Sequence, residues 1–141
     1  MNKKINKFDL QGKINIKEVI DYWIKGAEYN FKTAEFLYKG KRYPDCLFFC
    51  HLMIEKILKA LVVKHTKSHA SYTHQLVNLA MTAKIELNQE QIEFLTEITE
   101  FNITARYDAY KFRFYKKCNK AYAEKYYKIS KNLYLWLKKQ F

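Results

Sequence analysis

Apolar residues in the first part of the chain return with the period of a helix. Ile16, Ile20, Trp23, Ala27, Ala34 and Leu37 follow one another at steps of three, four or their sum, which predicts a first helix over about residues 16–38. The polar joint "KGKRYPD" comes next. Its Pro44 suits the first turn of a second helix, where the missing N–H would have no partner anyway. That second helix, about residues 44–65, is apolar nearly all round as far as Ile54. It then turns amphipathic, with Glu55, Lys56 and Lys59 on its polar side. A helix apolar on every face belongs at the centre of a fold.

"TKSHASYT" (66–73) is the clearest loop, and a short helix over about residues 74–84 follows on Leu76, Leu79, Ala80 and Ala83. In "NQEQ" (88–91), Asn88 is placed to cap a fourth helix, with Gln91 at the reciprocal position of a capping box. That helix uses Ile92, Leu95, Ile98 and Phe101. The last helix, about residues 119–139, has a seam of Tyr122, Tyr126, Ile129, Leu133, Trp136 and Gln140, a heptad-like spacing suited to packing along another helix.

The stretch between the last two helices, "TARYDAYKFRF" (104–114), carries two signals. "YKFRF" alternates apolar and basic as an extended segment would, whereas Ile103, Tyr107, Tyr110 and Phe114 are spaced as a helix would place them. The expectation is a helical turn breaking into an extended connection. Its rings face the bundle, and Lys111, Arg113, Lys116 and Lys117 face water. Together these segments predict an all-α chain, a single up-and-down bundle of about five helices. A polar segment over residues 1–15 precedes a helical domain over residues 16–141.

Composition agrees with helices. Only 3 Gly and 1 Pro leave few sharp turns, which argues against an all-β design, while 12 Tyr, 10 Phe and 2 Trp supply ample core material. The net charge is +12, and from Arg106 onward eleven Lys/Arg face two acids, Asp108 and Glu124. Such a field attracts polyanions and invites nucleic acid or nucleotide partners. The same excess, 23 of 26 cations being Lys, would also follow from an AT-rich gene. Cys46 and Cys50 stand one helical turn apart and, with Cys118, read as reduced core thiols of a cytoplasmic protein. Residues 1–15 lack the apolar stretch of a signal peptide, and "CLFFCHLMI" (46–54) is too short to span a bilayer, so no membrane association is expected.

Known catalytic patterns are not evident. No glycine-rich phosphate loop, nucleophile elbow or paired-carboxylate arrangement occurs. His65, His69 and His74 crowd one loop without acids or thiols nearby, so neither a metal site nor a cofactor is expected. His51, on an apolar helix, reads as a hydrogen-bonded core or interface residue. His74 is the one histidine retained as a ligand contact.

The order of these features resembles the HEPN domain family. "DYWIKGAEYNFKTAEFLYKGKRYPDCLFFCHLMIEKILKALVVKH" is similar to the family's opening hairpin, with Glu55, Lys56, Leu58, Lys59, Ala60 and Leu61 forming its "E-K-x-L-K-A-L" pattern. His74, Leu76 and Leu79 resemble its "H-x-L-x-x-L", and Ala105, Arg106 and Tyr107 its "A-R-Y" before the last helix. The likeness covers most of residues 18–137. It implies a helical bundle that usually forms a homodimer. The family includes RNA-cleaving toxins and also proteins paired with a small nucleotidyltransferase, in toxin–antitoxin fashion. Cleaving members carry Arg, four to six residues, then His. Counted from Arg106, the corresponding positions hold Lys111, Phe112 and Arg113, so the general base is missing from its expected place. Asn30 stands where many members have an acid, and Asp108 where many have Pro.

The resemblance therefore implies a binding subunit rather than an enzyme. Arg106, Lys111 and Arg113, with Tyr107 and His74, are its candidate residues for holding a nucleotide or RNA phosphate in a basic cleft. Homodimerisation is expected through the last helix and the 104–117 connection. Glu55, Lys59 and His51 are assigned polar support. Glu55 would hold Arg106 or Lys59 across the bundle, and Arg106 would alternatively tie down its own connection through Glu55 or Glu100. Two other functions stay open: a metal-independent ribonuclease whose base is displaced to His51 or His74, and a module that binds only protein.

Overall fold

The computed structural model describes residues 14–141; residues 1–13, most of the expected N-terminal polar segment, lie outside the described residues. Six α-helices occur among the described residues. They are α1 (Ile16–Lys39), α2 (Tyr43–Thr66), α3 (Leu76–Thr82), α4 (Gln89–Thr99), α5 (Asp108–Lys117) and α6 (Lys120–Lys138), with a 3-10 turn at Ile103–Ala105 before α5.

The helix starts follow the local chemistry. The Asn15 side chain accepts from the Glu18 amide at 3.0 Å, and Asn119 does the same for Tyr122 at 2.9 Å. Asn88 and Gln91 form the expected reciprocal box, at 2.8 and 2.9 Å. With so few glycines available, Lys41, Lys67 and Lys84 take the left-handed positions that close α1, α2 and α3 (φ 60°, 59° and 59°).

α2 is the central helix, as its all-round apolarity predicts. It packs against α1, α3, α4 and α6. Ala27 and Ala34 of α1 are fully buried against it, small side chains that let the two backbones run close. Gly26 belongs to the same contact, because a Cβ there would meet Lys56 Cδ at 3.0 Å. Phe101 joins the far end of the core, its ring centroid 5.6 Å from Phe114 and 5.5 Å from Tyr126. All three cysteines are buried free thiols.

Four expectations need correction. The order within the 104–117 stretch is the reverse of the expected one: a 3-10 turn and two extended residues, Arg106 and Tyr107, lead into a regular helix, α5, over Asp108–Lys117, where helical spacing outweighs the two-residue alternation. α3 begins at Leu76, so His74 lies in the preceding loop rather than at a helix start. Glu55 and Lys59 are buried, not on a solvated face of α2, because the 67–75 loop and Trp23 cover them. On α6 the buried face includes Ala123, Ser130, Tyr134 and Leu137, while Ile129 and Trp136 of the expected seam stay half-buried and Gln140 is exposed. No helix among the described residues is long and apolar enough to cross a membrane.

Candidate functional site

Arg106 and Tyr107 are extended residues between the 3-10 turn and α5 (φ −111° and −70°). The Arg106 guanidinium lies 5.1 Å from the centroid of the Tyr110 ring, one helical turn on, and its Nη2 is 3.4 Å from Glu100 Oε2. The Tyr110 hydroxyl donates to the Glu100 backbone carbonyl at 3.0 Å and to its carboxylate at 3.2 Å. Burial, and then the Glu100 carboxylate, push the Tyr110 hydroxyl above its usual range. Glu100 and not Glu55 is therefore the acid that holds Arg106. Both partners are partly exposed, and such a pair contributes only about 0–1 kcal/mol. The contact orients the guanidinium without consuming its five donors.

Below this pair, Glu97, Glu100, Tyr110, Arg113, Lys117 and Tyr122 line a cavity of about 210 Å³. Lys117 Nζ is 2.8 Å from Glu97 Oε2, and the Tyr122 hydroxyl donates to the same oxygen. Burial raises the Glu97 carboxyl, but these two donors outweigh it and hold the group below its usual range. The carboxylates here are occupied by cations of α5 and a ring of α6.

The outward face of α5 departs from expectation. Tyr107, Phe112 and Tyr115 are 90%, 61% and 48% exposed, and only Phe114 is buried. Lys116 Nζ sits 4.5 Å from the Phe112 centroid, and Arg113 is exposed beside it. These rings do not fill the core. Phe112, Tyr115 and Lys116 were not among the expected site residues, although their place among cations was visible in the sequence. Tyr110 as a platform for Arg106 was also missed; the four-residue spacing of the pair was the available signal.

His74 is not brought into this group. It belongs with the other polar residues of α2 beneath the loop. Glu55 Oε1 is 2.9 Å from His74 Nδ1 and 3.5 Å from His51 Nε2, and Glu55 Oε2 is 3.0 Å from Lys59 Nζ. His51 Nε2 also lies 3.3 Å from the His74 carbonyl. Both neighbouring oxygens accept, so Nε2 carries the His51 proton, and burial holds this histidine below its usual 6.5. Lys59 rests 5.1 Å from the Trp23 centroid. The loop is tied to α4 where the Leu76 amide donates to Thr99 Oγ1, next in sequence to Glu100.

The arrangement offers a short basic helix with outward rings, preceded by an oriented guanidinium, and a separate buried carboxylate–imidazole cluster. Searches of curated proteins and of solved structures found no match. A family model of the HEPN domain matches residues 20–140, from the first turns of α1 past the end of α6. On that match over nearly its whole length, the chain belongs to the HEPN domain family.

Proposed function

We propose that this chain is a binding subunit for single-stranded RNA, with α5 as the contact surface and Arg106 as a phosphate ligand. The observation that carries the proposal is the exposure of Tyr107, Phe112 and Tyr115 among Lys111, Arg113 and Lys116. Large rings left in water lose the energy of burial unless something covers them, and bases stack on such rings while cations take the phosphates. Tyr107 and Tyr115 are eight residues apart, roughly 12 Å along a helix. That span favours a strand of several nucleotides over one free nucleotide. The subunit acts as a homodimer, and a separately encoded nucleotidyltransferase is the candidate protein partner on family grounds.

The test is fluorescence anisotropy with a labelled single-stranded RNA across a salt series, with ATP and duplex RNA as competitors. Binding weakens with salt by about 0.7 log unit per log unit for each phosphate held. Phe112→Ala and Tyr115→Ala each lose about five-fold or more, in line with ~1–3 kcal/mol per stacked base. ATP competing as well as RNA would shift the ligand to a free nucleotide. Binding that is absent at low salt, or flat with salt, would leave a protein-only module.

One observation favours a second function, metal-independent RNA cleavage. The Glu55 carboxylate takes the His74 Nδ1 proton in a hydrogen bond, so Nε2 is left as the basic nitrogen of a side chain that is partly exposed. Incubating the protein with RNA beside His74→Ala and Arg106→Ala decides it. Cleavage lost in both variants supports a displaced base, and no cleavage by the unaltered chain removes the idea.

A further inference from the structure

Beneath the basic outer face of α5 the charge changes. Glu97, in the last turn of α4, and Glu100, just past its end, line the cavity of about 210 Å³ together with Arg113 and Lys117 of α5. Two carboxylates and two cations thus share a space whose other walls include the rings of Phe101, Tyr110 and Tyr122. A phosphate does not suit this space, because both carboxylates would repel it. A nucleobase does, being flat, uncharged and edged with donors and acceptors. The size agrees. It falls below the roughly 300–1,000 Å³ of pockets that enclose a drug-sized ligand, leaving room for one base without its sugar and phosphate.

The carboxylates keep capacity to accept. Lys117 and the Tyr122 hydroxyl both use Oε2 of Glu97, and Oε1 has no hydrogen-bond or ion-pair partner among the described residues. Glu100 takes the Tyr110 hydroxyl on Oε1 and Arg106 on Oε2, one contact on an oxygen that accepts roughly two. Burial raises the Glu97 carboxyl, but Lys117 and Tyr122 outweigh it, so at neutral pH this group is ionised and only accepts.

Guanine is the base whose edges match. Its Watson–Crick edge sets two N–H donors, N1 and N2, side by side, and its O6 and N7 accept from Arg or Lys. Adenine and cytosine offer one amino group on that edge, and uracil one N–H. We infer that the cavity takes one guanine base turned out of a bound single strand, with Glu97 and Glu100 accepting from N1 and N2 and with Arg113 and Lys117 donating to O6 and N7. The inference rests on the RNA-binding reading of α5 and adds a sequence preference to it. Glu100 both lines the cavity and contacts Arg106, so the phosphate of that nucleotide comes within reach of the guanidinium.

The experiment is fluorescence anisotropy of the full chain with short labelled oligouridine strands, plain or with one central guanosine, adenosine, cytidine or inosine. The guanosine strand binds roughly ten-fold tighter than plain oligouridine, the scale of one bidentate base contact. Inosine keeps O6, N7 and N1–H but lacks the 2-amino group, and it loses most of that advantage. Glu97→Gln, at a partly exposed position, puts an amide donor where an acceptor stood and brings the guanosine strand level with the others. A carboxylate that only braces α5 would change every strand alike and leave their ratio intact. The inosine comparison uses the unaltered chain, so it decides even where the variant folds poorly. Equal, salt-dependent binding of all strands overturns the guanine site and leaves the RNA reading standing. A preference for adenosine or cytidine overturns it too, as does a guanosine advantage that survives inosine or Glu97→Gln. No salt-dependent binding of any strand removes both.

Discussion

Arg106 is held by two weak restraints, the face of Tyr110 and the half-exposed carboxylate of Glu100, and its Nε has no hydrogen-bond partner although it is shielded from water. The Glu100 contact uses only Nη2, so the partly exposed guanidinium keeps other donors of its fork for a ligand. Arg106→Ala is therefore expected to lower RNA affinity roughly ten-fold, the scale of one charge-assisted hydrogen bond, and to reduce the salt slope by about 0.7. Thermal unfolding should change little. A large fall in stability with unchanged RNA affinity would make the residue a brace for the α4–α5 connection. Position 106 was legible in the sequence as an Arg before a basic aromatic run, but its partner was not: Glu55 and Glu100 were equally available until the chain was folded.

Between α2 and the 67–75 loop the same logic governs an element rather than a side chain. His51, Glu55 and Lys59 lie on one face of α2 at four-residue intervals, and His74 closes over them from the loop. His51 is neutral in the fold because burial outweighs the nearby Glu55 carboxylate. Its folded pKa is depressed, so as pH falls below 6.5 the unfolded chain takes up a proton that the folded chain does not. Stability therefore declines on acidification through that range, with this histidine contributing up to about 1.4 kcal/mol per pH unit. Urea unfolding at pH 7 and pH 5.5 should show the decline, and His51→Gln should flatten it. Equal slopes for both proteins would assign the decline to other groups. α5 shows the converse at the scale of an element. Its sequence holds two periods at once, and the helical one prevails because Phe114 and Tyr110 reach Phe101 and Glu100 only when spaced around a helix.

At the scale of the whole molecule, α1 and α5 lie on different parts of the bundle and present different chemistry. One exposes Tyr22, Tyr29 and Phe36 among charges of both signs. The other is a ring cluster in a field of cations, with four Lys/Arg against one acid between Asp108 and Lys117. Unbalanced charge of this kind suits a polyanion.

The sequence by itself determined the five longest-range helical periods, which helix is central, the capping box at Asn88, and the all-α bundle. Each of these follows from spacing and capping along a single segment. Only the tertiary structure decided that Glu55 and Lys59 are buried together, that Arg106 takes Glu100, and that Tyr107, Phe112 and Tyr115 point to water. The reason is physical. A helical period identifies a face but not the neighbour that covers it, and a ring or a charge acquires its role from that neighbour.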